Sequence, residues 1–323
     1  MNVDIIGAGL SGLIAATQFP TAQVFEAEGP DSISHKAVLR FRSNALSQML
    51  GIPFKRVEVR KSIWHKGAHR AASIDLANLY SRKTNGGYHN RSIWNLDKAD
   101  RYIAPEDLQL QLAAQIENRL HWNTPILPEE VCDPERQHAF ISTMPLPVLL
   151  KMLNWTPAET FSFKSIRVDR FRVSGADLYQ TIYYPDPELS VYRASLTGDL
   201  LIIEHVEEQA DLPAEMRPRL LPCFDDVIAS FGLQHSDVAM IELNHRQRFG
   251  KIAPLVHEKW RQWAIYEATV KHHIYSLGRF ATWRNILLDD IVNDIAIIKR
   301  MLQQGAYGAT LQHNRGTDNE RSA

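Results

Sequence analysis

Cysteine is scarce in this chain. There are two, Cys132 and Cys223, among 323 residues. Two do not make a disulfide framework, and neither stands in a CxxC or Cys/His metal spacing. Both are expected to be buried free thiols in a reducing compartment. No run approaches the roughly 18 to 20 apolar residues that a bilayer-crossing helix needs, so no membrane partner is expected. The first apolar stretch starts at Val3 and turns glycine-rich at once. No leader peptide is therefore expected, and the expected compartment is the cytoplasm. HExxH, an EF-hand loop and a P-loop are all missing, so no metal site is expected. So is the Gly-x-Ser-x-Gly nucleophile elbow. Neither charge dominates, since 36 Lys/Arg meet 37 Asp/Glu for a net charge of −1. Internal repeats are also absent. What remains is an ordinary globular composition, 45% hydrophobic and 23% charged, in a chain long enough for two cores.

The informative segment is N-terminal. Val3-Asp4-Ile5-Ile6 reads as a short buried parallel strand. Gly7-Ala8-Gly9-Leu10-Ser11-Gly12 follows, and then a helical run that Pro20 ends. Gln23-Val24-Phe25-Glu26 reads as the second strand. In such a unit the first glycine makes the tight turn. The second lets backbone approach a pyrophosphate, and the third lets helix pack on sheet. The helix start, at Leu10 and Ser11, offers N–H groups and a positive dipole end to phosphates. Glu26 stands 19 residues after Gly7, where its carboxylate can accept from ribose hydroxyls. A lone GxGxxG is a weak signal. Strand, helix and acid in their proper places make it a dinucleotide site.

The loop alone does not choose between FAD and NAD, since both carry ADP. The far end of the chain adds information. Ile274-Tyr275-Ser276-Leu277 reads as a strand, Gly278-Arg279-Phe280-Ala281-Thr282-Trp283 follows, and a long amphipathic helix is expected through Ile286, Leu287, Ile291, Ile295, Ile298 and Leu302. Together with Ser142-Thr143-Met144-Pro145 and the Val3–Glu26 unit, this segment resembles the flavoprotein amine oxidase superfamily. It is also similar to UDP-galactopyranose mutase-like and protoporphyrinogen oxidase-like proteins. The resemblance implies FAD as cofactor, held by Gly7, Gly9, Leu10, Ser11, Gly12 and Glu26. It brings Thr143 back to the nucleotide domain and sets Gly278, Arg279 and Trp283 at the isoalloxazine end. A second helix N-terminus and Arg279 beside the flavin's N1/O2 edge would stabilise its anionic reduced form. The resemblance also offers Lys251 as the lysine that holds a water near flavin N5. The paired glycines common after the strand-two acid in that group are missing. Lys36, Arg40 and Arg42 stand there instead, so Lys36 and Arg42 are expected to contact phosphate through side chains. No second GxGxxG exists, so a separate NAD(P)H domain is not expected.

The fold class expected is α/β: a Rossmann-type FAD-binding domain with a parallel sheet, and an interleaved substrate domain with an antiparallel β-sheet. The first would use residues 1–50, 100–150 and 240–303, the second 51–99 and 151–239, with 304–323 as a flexible tail. Within the first, a helix is expected from Pro105 through Ile116, an edge strand at 121–126 and a returning strand at 140–143. Within the second, alternation over Ser165–Val173, Leu178–Ile182 and Val191–Ser195, and the Thr197-Gly198-Asp199 turn into Leu200–Ile203, predict antiparallel strands, and Pro213–Phe231 reads as a helix. Such a sheet over a flavin makes a substrate platform. Tyr179, Tyr192 and Arg193 are candidates for its substrate face, and so is Arg40. They serve equally well as cross-strand packing.

Charge is unevenly spread. Lys36, Arg40, Arg42, Lys55, Arg56, Arg60, Lys61, Lys66, Arg70, Arg82, Lys83 and Arg91 are opposed over that stretch only by Glu58 and Asp75. This basic strip, 35–91, is either a solvated surface or a face for an anionic partner: FAD phosphates, a nucleotide-linked substrate or nucleic acid. A second cationic segment, Asn244–Pro254, carries His245 and Lys251. His245 is a candidate acid or base because histidine titrates near neutral pH. Arg279, Lys251 and His245 are thus the catalytic candidates.

Four readings stay open. The first is an FAD-dependent oxidoreductase oxidising a C–N bond of an amine or amino-acid-like substrate. The second is a mutase-like flavoenzyme, without net redox, on an anionic nucleotide-linked substrate. The third is a flavoenzyme acting on an amine-bearing modified base in DNA. The last is a non-catalytic FAD-binding module. Nothing in the sequence sets the oligomeric state.

Overall fold

A computed structural model describes residues 2–32, 38–88, 92–133, 135–206 and 223–304. Two sheets organise them. The first is wholly parallel and is built from β1 (Asn2–Ile6), β2 (Val24–Phe25), β7 (Leu120–His121), β8 (His138–Ser142) and β14 (Ile274–Ser276), in the order β14-β8-β1-β2-β7. One face is covered by the helices Leu10–Gln18 and Leu108–Gln115 and by a helix over 291–304. The other is covered by Pro128–Cys132, Leu146–Met152 and Glu258–His272. With both faces covered, the central strand needs no alternation, and Val3, Ile5 and Ile6 are all buried. The edge strand ends at His121, short of Pro125. The helix expected from Pro105 starts only at Leu108.

The second sheet has nine strands. Along it run β13 (Val238–Ile252), β9 (Phe163–Val173), β12 (Leu200–Val206), β11 (Val191–Gly198), β10 (Leu178–Tyr183), β4 (Lys55–His65), β6 (Ala99–Ile103) and β3 (Arg40–Phe41), with β5 (Ala68–Arg70) paired to β4. Its pairs are antiparallel except where β4 joins β10. One face packs Phe171, Ile182, Ala194, Leu201 and Ile203 under the helix Phe224–Phe231. The other packs Ile63, Val168, Tyr183, Tyr192 and Ile202 under the helix Ile74–Asn85. That last helix is capped at both ends. Ser73 accepts from Leu76 N–H, and Gly86 closes it at φ 76°.

Some sequence boundaries move. Residues 240–252, expected with the nucleotide domain, run in β13 at the edge of the large sheet. Of the helix expected over Pro213–Phe231, Phe224–Phe231 is helical and 207–222 lie outside the described residues. The tail expected over 304–323 lies outside them from 305 onward.

Lys83 fastens the helix Ile74–Asn85 to the end of the sheet. Its ammonium donates to the carbonyls of Tyr184 (2.9 Å), Asp186 (2.6 Å) and Val191 (2.6 Å). Burial pushes that ammonium down to about 7, against the opposing pull of Asp186 and Cys223. Lys83→Met keeps the stem and removes the donors. It is expected to cost roughly 2–3 kcal/mol, read as a lower urea midpoint, because buried carbonyls are left unpaired.

Candidate functional site

The nucleotide loop is closed by contacts that only glycine permits. Gly7 leaves β1 at φ 98°, and a Cβ there would lie 2.4 Å from Thr143 Oγ1. A Cβ on Gly12 would lie 1.9 Å from the Gly7 carbonyl oxygen. Thr143, just beyond β8, donates through Oγ1 to Ile6 O at 2.9 Å and so seats the loop on the sheet. Gly9 is the opposite case. It caps the helix Leu10–Gln18, it is exposed, and nothing lies within 4 Å of where its Cβ would be. The open side of the loop is thus the side at which the helix presents its first N–H groups. Leu10 is buried beneath it. Glu26 braces the loop: Oε2 accepts from Ala8 N–H at 2.6 Å and Oε1 from Glu28 N–H at 3.1 Å. A carboxylate has about four lone-pair sites, so both oxygens keep capacity for ribose hydroxyls.

The C-terminal junction meets this loop directly. Gly278 follows β14 at φ 91°, and a Cβ there would be 2.6 Å from Ser11 Oγ. The next residues close a hydrogen-bonded turn, with Thr282 Oγ1 donating to Gly278 O (2.7 Å) and Arg284 N–H to Arg279 O (3.1 Å). The expected helix does not start here. It begins at 291, after a 3-10 turn over Leu288–Asp290, so no helix N-terminus follows Gly278. Arg279 is half-buried, with its guanidinium 5.8 Å from the Phe280 ring. Trp283, expected at the cofactor, is 2% exposed instead. It packs edge-on against Phe161 and donates to Ala253 O at 3.1 Å. Its role is to tie the Gly278 turn to the end of β13, two residues beyond Lys251. Arg42, expected at phosphate, pairs with Asp290 (2.7 Å) and Asp289 (3.5 Å), so its charge is met within the chain. Lys36 lies outside the described residues.

Lys251, Tyr192 and Arg193 come together on the large sheet, around a carboxylate the sequence reading missed. Glu204 has a side chain 1% exposed. It accepts from Tyr192 OH (2.9 Å) and from Arg193 Nη2 (2.7 Å), with Arg193 Nε closing a bidentate pair. Lys251 Nζ lies 4.5 Å from the centre of the Tyr192 ring. Burial alone would raise the Glu204 carboxyl. Arg193, with Lys251 and Tyr192, more than reverses this and holds it below the ordinary value. Burial drives the Tyr192 phenol well above 10. The missed signal was an acid inside Leu200-Leu201-Ile202-Ile203-Glu204, an otherwise apolar strand.

Arg40 lies on the same face as a strut. It donates to Thr181 Oγ1 (2.6 Å), Leu196 O (2.7 Å) and Thr197 Oγ1 (3.1 Å), and burial, with Arg193 nearby, pushes it down to about 9. Two candidates stand elsewhere. Tyr179 shares an exposed contact with Lys55 (2.7 Å) and Asp177 (2.8 Å). His245 Nδ1 lies 3.6 Å from Glu242, which also approaches Arg170.

The basic strip is not one continuous cationic face. Arg40 and Lys83 are turned inward, while Arg42, Lys55 and Arg56 pair with Asp290, Asp177 and Asp100. Arg91 lies outside the described residues. Among those described, no cluster of His, Cys, Asp and Glu suits a metal ion, and no helix is long and apolar enough to cross a membrane.

No family profile matches the chain, and a search of curated proteins finds no match. Solved structures do match in fold. A reduced UDP-galactopyranose mutase aligns with a TM-score of 0.65 at 14% identity, over 94% of each chain. A fatty acid isomerase from P. acnes that produces CLA aligns at 0.56 and 14% identity, over 93% of this chain and 98% of the other. A protein assigned by name to protoporphyrinogen oxidase, from Exiguobacterium sp. 255-15, aligns at 0.56 and 13%, over 94% and 99%. The shared fold is the two-sheet α/β arrangement described above.

Proposed function

We propose that the chain is an FAD-dependent oxidoreductase. The carrying observation is the contact between Gly278 and Ser11, too close for a Cβ, which sets a second glycine turn against an open phosphate-binding loop. Solved structures of the same fold include a reduced UDP-galactopyranose mutase, a flavin-dependent halogenase and a protoporphyrinogen oxidase by name. The residues fit the group: Gly7–Gly12 and Glu26 would hold the ADP half. Thr143, the Gly278–Arg279 turn and the Lys251 end of β13 would bound the flavin half. When bound, the flavin supplies two-electron chemistry, and oxidation of a C–N bond in an amine or amino-acid-like substrate is the reaction proposed. The protein's part is placement. Glu204 fixes Arg193 and Tyr192, Lys251 presents its ammonium beside them, and the Trp283 core excludes water behind the turn.

One observation favours a second reading, mutase-like chemistry on an anionic nucleotide-linked substrate. Arg40, Arg193 and Lys251 gather around Glu204 with cationic charge in excess, which suits a phosphate or carboxylate. Purified protein is expected to show flavin absorbance and to release FAD on heating. Anaerobic bleaching by an amine then supports oxidation. Turnover of a nucleotide-linked substrate only after prior reduction supports the second reading. Bound FAD that no substrate reduces leaves a binding module. Retention on DNA with a steep salt dependence favours the modified base. A colourless protein that takes up no added FAD ends the flavin reading.

A further inference from the structure

The face of the large sheet opposite Glu204 carries a second polar cluster, independent of the flavin reading. Cys223 precedes the helix Phe224–Phe231 and is 5% exposed. Its sulfur lies 3.2 Å from Ser190 Oγ and 3.8 Å from His205 Nδ1, and the Val191 amide also donates to it. Ser190 Oγ is itself 2.9 Å from His205 Nδ1. On the other side of the ring, His205 Nε2 is 2.9 Å from Asp169 Oδ2, at an angle that makes the contact electrostatic rather than a directed hydrogen bond. Asp169 Oδ1 accepts from Asn244 N–H at 2.7 Å, which orients the carboxylate.

The cluster comes from several elements: Asp169 on β9, His205 on β12, Ser190 before β11 and Cys223 before its helix. A thiol buried in apolar surroundings stays protonated and inert. Here a hydroxyl, an imidazole nitrogen and a backbone N–H converge on one sulfur, and a carboxylate sits behind the imidazole. Lys83 lies near enough to feel the sulfur's charge. Against these stands Arg167, which opposes protonation of His205, while Asp226, on the cysteine's own helix, accepts from Trp64 Nε1 at 3.2 Å.

We propose that Cys223, His205, Ser190 and Asp169 form a thiolate site that reacts with hydroperoxides. The sulfur attacks one peroxide oxygen, forming an S–O bond as the O–O bond breaks. The sulfur loses two electrons and the peroxide gains them. The leaving oxygen takes the proton from His205 Nδ1 and departs as water from hydrogen peroxide, or as an alcohol from an organic hydroperoxide, so the thiolate and imidazolium become a sulfenic acid and a neutral imidazole. With Cys223 only 5% exposed, a bulky thiol has no approach to its sulfur, which favours a sulfenic acid that persists over a mixed disulfide.

The arrangement also predicts a consequence for the other face. Ser190 and Val191, which contact the sulfur, lead directly into Tyr192 and Arg193, and His205 adjoins Glu204. A change at the sulfur therefore bears on the Glu204 cluster through immediate chain neighbours.

The test uses the full-length Cys132→Ser protein, since Cys132 is exposed and would react in parallel. Thiolate ultraviolet absorbance followed against pH needs no reagent to reach the sulfur. It is expected to rise at a pH below that of an ordinary thiol. Dilute hydrogen peroxide followed by a sulfenic-acid trap is expected to mark Cys223 in a peptide map. His205→Asn is expected to move the absorbance profile up to the ordinary thiol range. Ser190→Ala, a smaller change, shifts it part of the way. Thiolate absorbance that appears only in the ordinary range, a profile that neither variant moves, or failure of the trap to mark Cys223 overturns the proposal.

Discussion

Glu204→Ala is expected to lower folding stability by about 3–5 kcal/mol, the usual result of breaking a buried ion pair from one side. The carboxylate side chain is 1% exposed and anchors three groups, the Tyr192 hydroxyl and the Nε and Nη2 donors of Arg193. Arg193 keeps 30% of its side-chain exposure, so water relieves part of its stranded charge. Tyr192 is fully buried, and its hydroxyl has no such relief. Urea unfolding measures the loss. Acid titration gives an independent check. The folded-state value of Glu204 lies below its ordinary 4.5. Its contribution is therefore fully present above the unfolded value and is lost as pH falls through the folded one. Glu204→Gln keeps the shape and is expected to flatten the stability profile below about pH 4.5. An unchanged acid limb would count against the assigned pairing.

Gly12→Ala is the second large effect. The added methyl would sit 1.9 Å from a backbone oxygen that has no rotamer to change, so helix and strand must part. Overpacking costs typically 1–3 kcal/mol, and here the displacement falls on the phosphate-binding loop itself. The expected outcome is protein purified without flavin and with a lowered melting temperature. Gly9→Ala is the informative contrast, since its Cβ direction is open in the protein alone. That variant is expected to melt near the parent temperature and to lose FAD on dilution. Equal loss of stability in both variants would mean that the open side of Gly9 is not the ligand side.

Much of this was visible in the residues. The Gly7–Gly12 loop and Glu26 followed from types and spacing, because each answers a local steric demand, while the return of Thr143 to the nucleotide domain came from the family resemblance. The antiparallel strands β9 to β11 were likewise legible as alternation, and β12 as the apolar run after the Thr197-Gly198-Asp199 turn. Strand β13 was not. Its pairing with β9 shifts at Met240/Glu242, Glu242/His245 and Gln247/Lys251, and each shift spoils the two-residue period that marks a strand. The helix after Gly278 was placed too early for a related reason. Ile286 and Leu287 continue its apolar spacing, yet Leu287 N–H is claimed by Asp290 Oδ2 at 2.8 Å, and the turn starts there. The helix Ile74–Asn85 announced itself through Ser73 and Gly86, signals overshadowed by the cations around them. The Glu204 cluster depends on three strands meeting, and no single segment reveals that.

Strand β12 carries Glu204 and His205 side by side, one to each face of the sheet. Sliding this strand by one residue against β9 and β11 would exchange them. The carboxylate would face Trp64 and Ile203's apolar neighbours, and the imidazole would face Tyr192. Either slide parts Glu204 from Arg193 and His205 from Asp169, while Leu201, Ile202 and Ile203 would pack almost as well in the shifted alignment as in the native one. Apolar residues of like size hardly distinguish the two alignments, so discrimination falls to the adjacent ionisable pair. The Glu204–His205 dipeptide thus works as an assembly key, selecting one pairing during folding, and a chain with both residues made apolar is expected to populate misaligned sheets even where its total burial is undiminished.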